Sequence, residues 1–247
     1  MTTKRGQPEA RPPKRWGSSR QTARLVAKFD RSLKRTADLL VEKFGEDDAR
    51  AIHQEMLDEF RRLIPEIPYI GGRRNPYTEM LVGATKGLSM YRVIVRHGGS
   101  LEDTGELMHL RSRAAMERVP RVIRHGLMRN LFIRQQKRVA RRSLKRRYPG
   151  DWVFELVEGD GEILDAGMDV IECGDLRFLQ KQGAEELCPY ICDLDYVMAE
   201  AMGYELRRTK TLAWGCDRCD FRLSMDGVTS ASWPPQFVER TCGQPQP

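Results

Sequence analysis

Apolar residues recur every three or four positions as far as about residue 149 and every second position soon after it. The first rhythm makes one stripe on a helix and the second makes one face of a strand, so the texture of the chain changes near Asp151, where strands first enter. Each stripe or face needs something to lie against. The expectation is an α+β fold in which an N-terminal multi-helix half packs on a small, antiparallel, four-stranded sheet.

In the helical half, Leu25, Phe29, Leu33, Ala37, Leu40 and Phe44 predict one amphipathic helix closed by Gly45. Ile52, Met56, Phe60, Leu63 and Ile64 predict a second, stopped at Pro65, with His53 beside its stripe in a structural or solvated role. Residues 65–76 form a Pro/Gly-rich connection in which Asn75 is placed to cap the next helix and Pro76 to take its first position. That helix runs to His97 through Met80, Leu81, Ala84, Leu88 and Tyr91, and its Gly83 and Gly87 offer a strip for close packing. Ser100 to Asp103 reads as a capping box that starts a further helix, interrupted at Pro120 and resumed to Tyr148. His109 and His125 lie near no ligand pattern and read as structural.

Trp152–Val157 and Met168–Cys173 then read as strands joined by a turn at Gly159-Asp160-Gly161, and a short helix passes through Arg177 and Leu179. The expected organisation is a basic disordered tail over 1–21, a helical part over 22–149, an α+β part over 150–226 forming one compact unit with it, and a C-terminal tail over 227–247.

Hydrophobic residues are 40% of the chain and charged residues 31%, with a formal net charge of +7. No apolar run reaches the roughly 18 residues of a membrane span, and the start lacks an apolar signal core. A cytoplasmic protein is expected. The six cysteines crowd into the last third and do not resemble a secreted disulfide framework, so reduced thiols are the simpler reading. The positive charge gathers in the first 20 residues and between Arg134 and Arg147. Nucleic acid would need such clusters, but no DNA- or RNA-binding signature accompanies them, and Leu131, Phe132, Val139 and Leu144 interleave with the second. A solvated helix face is the better account of it.

Residues 188–222 hold four of the six cysteines and carry the chemistry-bearing pattern. Pro189 and Gly203 bound a helix on which Cys192 and Asp195 share a face. Residues 204–213 and 218–224 then alternate as a hairpin about Trp214–Asp217. Pairing Thr211 with Asp220 sets Thr209 opposite Arg222 and gathers a polar face, leaving Leu212, Cys219, Phe221 and Leu223 on the other. Three readings of the thiols stay open. Cys188, Cys192, Cys216 and Cys219 have the spacing of a structural zinc site; Cys192 or Cys219 is a nucleophile activated by Arg208 or Arg222; or the cysteines are small buried hydrophobes.

The run Cys192 to Asp195, Gly203, Leu206-Arg207-Arg208-Thr209-Lys210-Thr211-Leu212-Ala213-Trp214-Gly215 and Cys219-Asp220-Phe221-Arg222 resembles the C-terminal signature of the L-2-amino-thiazoline-4-carboxylic acid hydrolase family. Tyr69-Ile70-Gly71-Gly72, Asn75, Ser89-Met90-Tyr91 and Gly98-Gly99 are similar to its helical half. The resemblance implies hydrolytic opening of a small heterocycle carrying a C=N bond. Such a reaction needs a base to activate water and an acid for the departing nitrogen or sulfur. Asp195 and Asp220 are the candidates, beside the thiols Cys192 and Cys219. Arg208 or Arg222 would clamp a substrate carboxylate, Thr211 would donate to the intermediate, and Gly72 and Asn75 would form the pocket rim. The reading demands no cofactor and no metal. Its partner is a small-molecule substrate rather than a membrane or nucleic acid, and exposed apolar helix faces leave room for a homodimer. The rival is a non-enzymatic small-molecule sensor or partner-binding protein, with zinc as one of its forms. Nucleic-acid binding ranks third.

Overall fold

The N-terminal helices bury the leucine and phenylalanine stripes read from the sequence. The structure is a computed structural model and describes residues 18–159, 165–235 and 242, with backbone only at 126–130, 132 and 133. Of the basic tail, residues 1–17 lie outside this set. Helix α1 (Ser19–Lys34) begins inside the stretch assigned to that tail, where the Ser18 side chain accepts from the Gln21 N–H.

The single first helix expected from periodicity is two. At Arg35–Thr36 the helix stops, the Thr36 hydroxyl turns back to the Ser32 and Leu33 carbonyls, and α2 (Ala37–Phe44) continues the apolar stripe. A threonine hydroxyl that satisfies the preceding turn competes with the helix's own ladder, which is why the stripe survives the break. Helix α3 (Glu46–Leu63) packs Phe60 edge-on to Phe29 at 5.1 Å, and α4 (Thr78–Arg96) runs through the core with Leu81, Val82, Leu88, Val93 and Ile94 buried. Of its two glycines only Gly87 serves close packing, with Met108 Sδ 3.1 Å from where a Cβ would stand; Gly83 faces open space. Helix α5 (Leu101–Glu117) starts at the expected capping box. A π-helical turn at Ile123–Met128 follows Pro120, and α6 (Arg129–Ser143) then turns Arg134, Lys137, Arg138, Arg141 and Arg142 outward while burying Val139 and Ala140.

Strands β1 (Val153–Glu158) and β2 (Ala166–Glu172) follow the texture change; residues 160–164 of their connection lie outside the described set. Helices α7 (Gly174–Lys181) and α8 (Cys188–Met202) come next, then β3 (Glu205–Arg207) and β4 (Cys219–Ser224). The sheet is antiparallel in the order β1-β2-β4-β3. The fold is α+β, with the helical N-terminal half packed on this four-stranded sheet, and a buried cluster running from Leu25 to Cys219 joins them.

The final hairpin has a different register from the one inferred. Arg207, not Thr209, stands opposite Arg222, and β3 ends there. The Asp220 carboxylate captures the Thr209 and Lys210 N–H groups, at 2.9 and 2.6 Å, and the Thr209 hydroxyl at 2.5 Å, so side-chain bonds replace the ladder. The thiols also depart from expectation at one place: Cys216 is disulfide-bonded to Cys242, while Cys173, Cys188, Cys192 and Cys219 are free. The described part of the C-terminal stretch lies back on the molecule. There the Thr229 hydroxyl accepts from the Leu206 N–H and donates to the Tyr204 carbonyl, and Trp233 rests near His109 and Tyr190. No helix among the described residues is long and apolar enough to cross a membrane.

Candidate functional site

Pro189 occupies the first turn of α8 and Gly203, at φ +69°, ends it in a left-handed cap, so the helix is fixed at both ends. Cys188, Cys192 and Asp195 then fall on one stripe with Ile191 and Met198, one turn apart, and line a cavity against the sheet. The opposite side of α8 carries Asp193, whose carboxylate meets His109 Nδ1 at 2.7 Å in a buried pair facing α5. Across the cavity stand Met168, Val170, Leu206, Cys219, Phe221 and Leu223 from the inner face of the sheet, and Tyr77, Trp152 and Tyr204 complete its aromatic walls. Its empty volume, mouth included, is about 880 Å³, and most of its lining is apolar. That is the composition of a small-molecule pocket, a greasy wall with few placed polar groups.

Arg208 is the largest of those groups and is 1% exposed. Its Nη1 donates to Asp195 Oδ2 at 3.0 Å and its Nη2 to the Cys192 carbonyl at 2.8 Å. Its plane lies between the Tyr196 and Phe221 rings, 5.0 and 4.5 Å away. Burial works against the Arg208 charge, but Tyr196, Asp195, Cys192 and Cys219 around it hold the guanidinium above its ordinary pKa. Thus Arg208 braces α8 from below, with both Nη atoms committed to the helix that carries Cys192 and Asp195.

The titratable groups of the cavity are shifted in opposite directions. A hydrogen bond from the Cys188 thiol, aided by the Arg208 field, lowers Cys192 below the usual thiol range despite burial. The Cys188 thiol is itself raised by its bonds with Cys173 and Cys192. Cys219 is pushed up to about 12, first by burial, and its sulfur lies 3.2 Å from the Thr211 hydroxyl and 3.2 Å from the Leu212 N. Burial raises Asp195 against the pull of Arg208. A thiol moved down and a carboxyl moved up, a helical turn apart, form a pair better matched to exchange a proton than the free groups are.

Of the residues expected to form the site, Cys192, Asp195, Arg208 and Cys219 line the cavity, and Thr211 stands behind Cys219. Asp220 and Arg222 do not join them: Asp220 closes the Thr209–Lys210 turn, and Arg222 Nη1 reaches Asp169 at 2.8 Å on the outer face of the sheet. Asn75 and Gly72 act one step back from the cavity. Asn75 Nδ2 donates to Asp151 at 2.7 Å and to the Ile70 carbonyl, its Oδ1 accepts from the Tyr77 N–H, and the Gly72 carbonyl accepts from Thr78. This loop sets the entry of α4 and so fixes Tyr77, whose hydroxyl donates to Gln136 at 2.7 Å in the cavity wall.

Sequence reasoning missed Asp175. It sits in the first turn of α7, lines the cavity, is 4% exposed, and its Oδ1 has no hydrogen-bond partner among the described residues. Burial, with Cys192 and Asp195 adding to it, pushes its carboxyl well above the usual range. The preceding Gly174 was the available signal. A Cβ there would stand 2.7 Å from the Gly150 carbonyl and 2.7 Å from the Trp152 ring, so only glycine lets α7 enter this close to the cavity wall.

The four-cysteine zinc arrangement is broken up by the fold, since Cys216 pairs with Cys242, and no group of three or more His, Cys, Asp or Glu among the described residues is arranged to hold a metal ion. The family model described as L-2-amino-thiazoline-4-carboxylic acid hydrolase matches residues 89–223, just over half of the chain. Cys192, Asp195, Arg208, Cys219 and Asp175 fall inside the matched region, and Gly72, Asn75 and Tyr77 fall before it. No curated protein and no solved structure matches the chain.

Proposed function

From a chain that belongs to the L-2-amino-thiazoline-4-carboxylic acid hydrolase family, we propose a hydrolase that opens a small ring carrying a C=N bond, of thiazoline or cyclic amidine type. One observation carries the reading: Cys192 and Asp195, with pKa values shifted toward each other, face a largely apolar cavity while Arg208 pins the helix that bears them. The cavity suits a compact heterocycle.

In this reading Cys192 is the nucleophile and Asp195 the proton carrier. As the Cys192 sulfur bonds to the amidine carbon, its proton passes to Asp195 and the C=N electron pair moves onto nitrogen. Collapse of this adduct breaks the bond from that carbon to a ring sulfur or nitrogen, and the departing atom takes the proton from Asp195. Water, deprotonated by Asp195, then attacks the carbon held on sulfur and releases Cys192 as a thiol. The sum is one water added and one ring opened. Cys219, raised and bonded by Thr211 and Leu212, is wall rather than nucleophile. Arg208 orients Asp195 instead of clamping a substrate.

The test is incubation with 2-aminothiazoline-4-carboxylic acid and with the same ring lacking the carboxylate, followed by mass spectrometry for a product heavier by one water. Ring opening that Cys192→Ala and Asp195→Asn each abolish supports the assignment. Rings left intact by folded protein, while still binding it, would favour the sensor reading instead.

A further inference from the structure

Asp175 is the one carboxyl of the cavity left out of that chemistry. It belongs to the same pocket, so a role for it takes its biological sense from the ring-opening reading but is tested apart from turnover. An unpaired carboxyl oxygen among apolar walls costs free energy until a donor completes it, and an incoming ligand is one such donor. Asp175 Oδ1 is buried without a partner among the described residues, on a side chain that is 4% exposed and lines the cavity. The charges around it select the ligand. Asp195 is a second carboxyl, and the cavity's cation among the described residues, Arg208, has Nη1 on Asp195 and Nη2 on the Cys192 carbonyl. Beyond these the lining is Met80, Ile191, Met198, Leu206, Phe221 and Leu223 or similar.

We propose that Asp175 is a ligand-binding residue that receives the amidinium N–H groups of the substrate. An amidinium brings a planar pair of donors to an acceptor that has no partner among the described residues. Burial raises the Asp175 carboxyl above the usual range, and an amidinium beside it would favour the carboxylate form. Holding the amidine protonated also makes its carbon a better target for Cys192.

The probes are benzamidinium and benzamide, neither of which has a ring that can be opened, titrated calorimetrically into the full-length protein. Benzamidinium should bind at least tenfold tighter than benzamide, which is about 1.4 kcal/mol. The preference should vanish in Asp175→Asn and persist in Asp195→Asn. Equal binding of amidine and amide by the unaltered protein overturns the proposal without any variant. So does a preference that survives Asp175→Asn and fails in Asp195→Asn. Because no probe is turned over, the outcome is independent of whether rings are opened: the predicted selectivity beside an inert thiazoline would overturn the hydrolase reading and leave this one standing.

Discussion

Arg208 reaches Asp195 at 3.0 Å from a side chain with no exposed surface, while Asp195 keeps its free edge toward the cavity. The pair joins a ribbon to a helix 13 residues earlier in the chain, and it is how the sheet tells α8 where to stand. A buried ion pair adds little when formed, but breaking it strands a charge. Arg208→Met keeps the volume and removes the partner. It should lower unfolding free energy by about 3 kcal/mol, with the loss smaller in acid where Asp195 is neutral. Urea denaturation at two pH values reads this directly, and a change under about 0.5 kcal/mol would mean the pair does not brace the fold.

Cys192 owes its lowered pKa first to the Cys188 thiol. Cys188→Ala removes that donor and leaves the backbone of α8 unchanged. The folded protein should then alkylate at Cys192 with a pH midpoint shifted upward, because the thiolate has lost a hydrogen bond. Iodoacetamide labelling rates against pH, with the site identified by peptide mapping, give the midpoint. In the unaltered protein Cys192 should label before Cys219, whose thiol is pushed up to about 12. An unmoved midpoint in Cys188→Ala would assign the shift to Arg208 alone.

Most helices are legible because their stripes are long and their ends are marked, as Ser100 with Asp103 marks α5 and Pro189 with Gly203 marks α8, whereas the break between α1 and α2 at Thr36 carries no such mark. Four cavity residues were legible for the same reason, through the spacing of Cys192 and Asp195 on one helix and the density of the motif around Arg208 and Cys219. The hairpin was read inside out. Thr209, Thr211, Asp220 and Arg222 were grouped as a functional polar face, yet the cavity lies on the side of Cys219, Phe221 and Leu223, with Arg208 reaching in among them. An enclosed pocket is cut into the apolar layer, so its strands look like core strands. Register was the other gap. Nothing in the alternation announces that Asp220 will bind two backbone N–H groups and end the ladder at Arg207. Asp175 was hidden by its position, since an acid in the first turn of a helix is ordinary.

Asp220 therefore predicts differently from Asp195. It accepts three bonds within the turn that delivers Arg208 and Thr211 to the interior. Asp220→Ala should cost about 1–2 kcal/mol of stability, yet ring opening should persist under conditions where the variant is folded. Paired measurements of melting temperature and turnover separate the two effects. A stably folded Asp220→Ala with no activity would show that the turn's carboxylate takes part in the chemistry.

Away from the cavity, Lys86 on α4 has its Nζ 5.9 Å from the centre of the Phe29 ring, and its pKa is lowered to about 8, by burial first and then by Lys28 and Arg111, with Glu79 opposing. In the unfolded chain the same ammonium has the ordinary value of 10.5. Between these values the unfolded state holds a proton that the folded state has released, so stability from this group rises with pH from about 8 to 10.5. Below that window both states are charged, and the folded protein carries the full burden of the crowded cation. Lys86→Met keeps the length and removes the charge. It should raise the melting temperature at pH 7, and the gap between variant and parent should close as the pH climbs toward 10.5. Thermal unfolding of both proteins across that range, followed by circular dichroism, checks the sign. A variant less stable than the parent at pH 7 would mean that the Lys86 ammonium is held by the Phe29 ring more firmly than burial disfavours it.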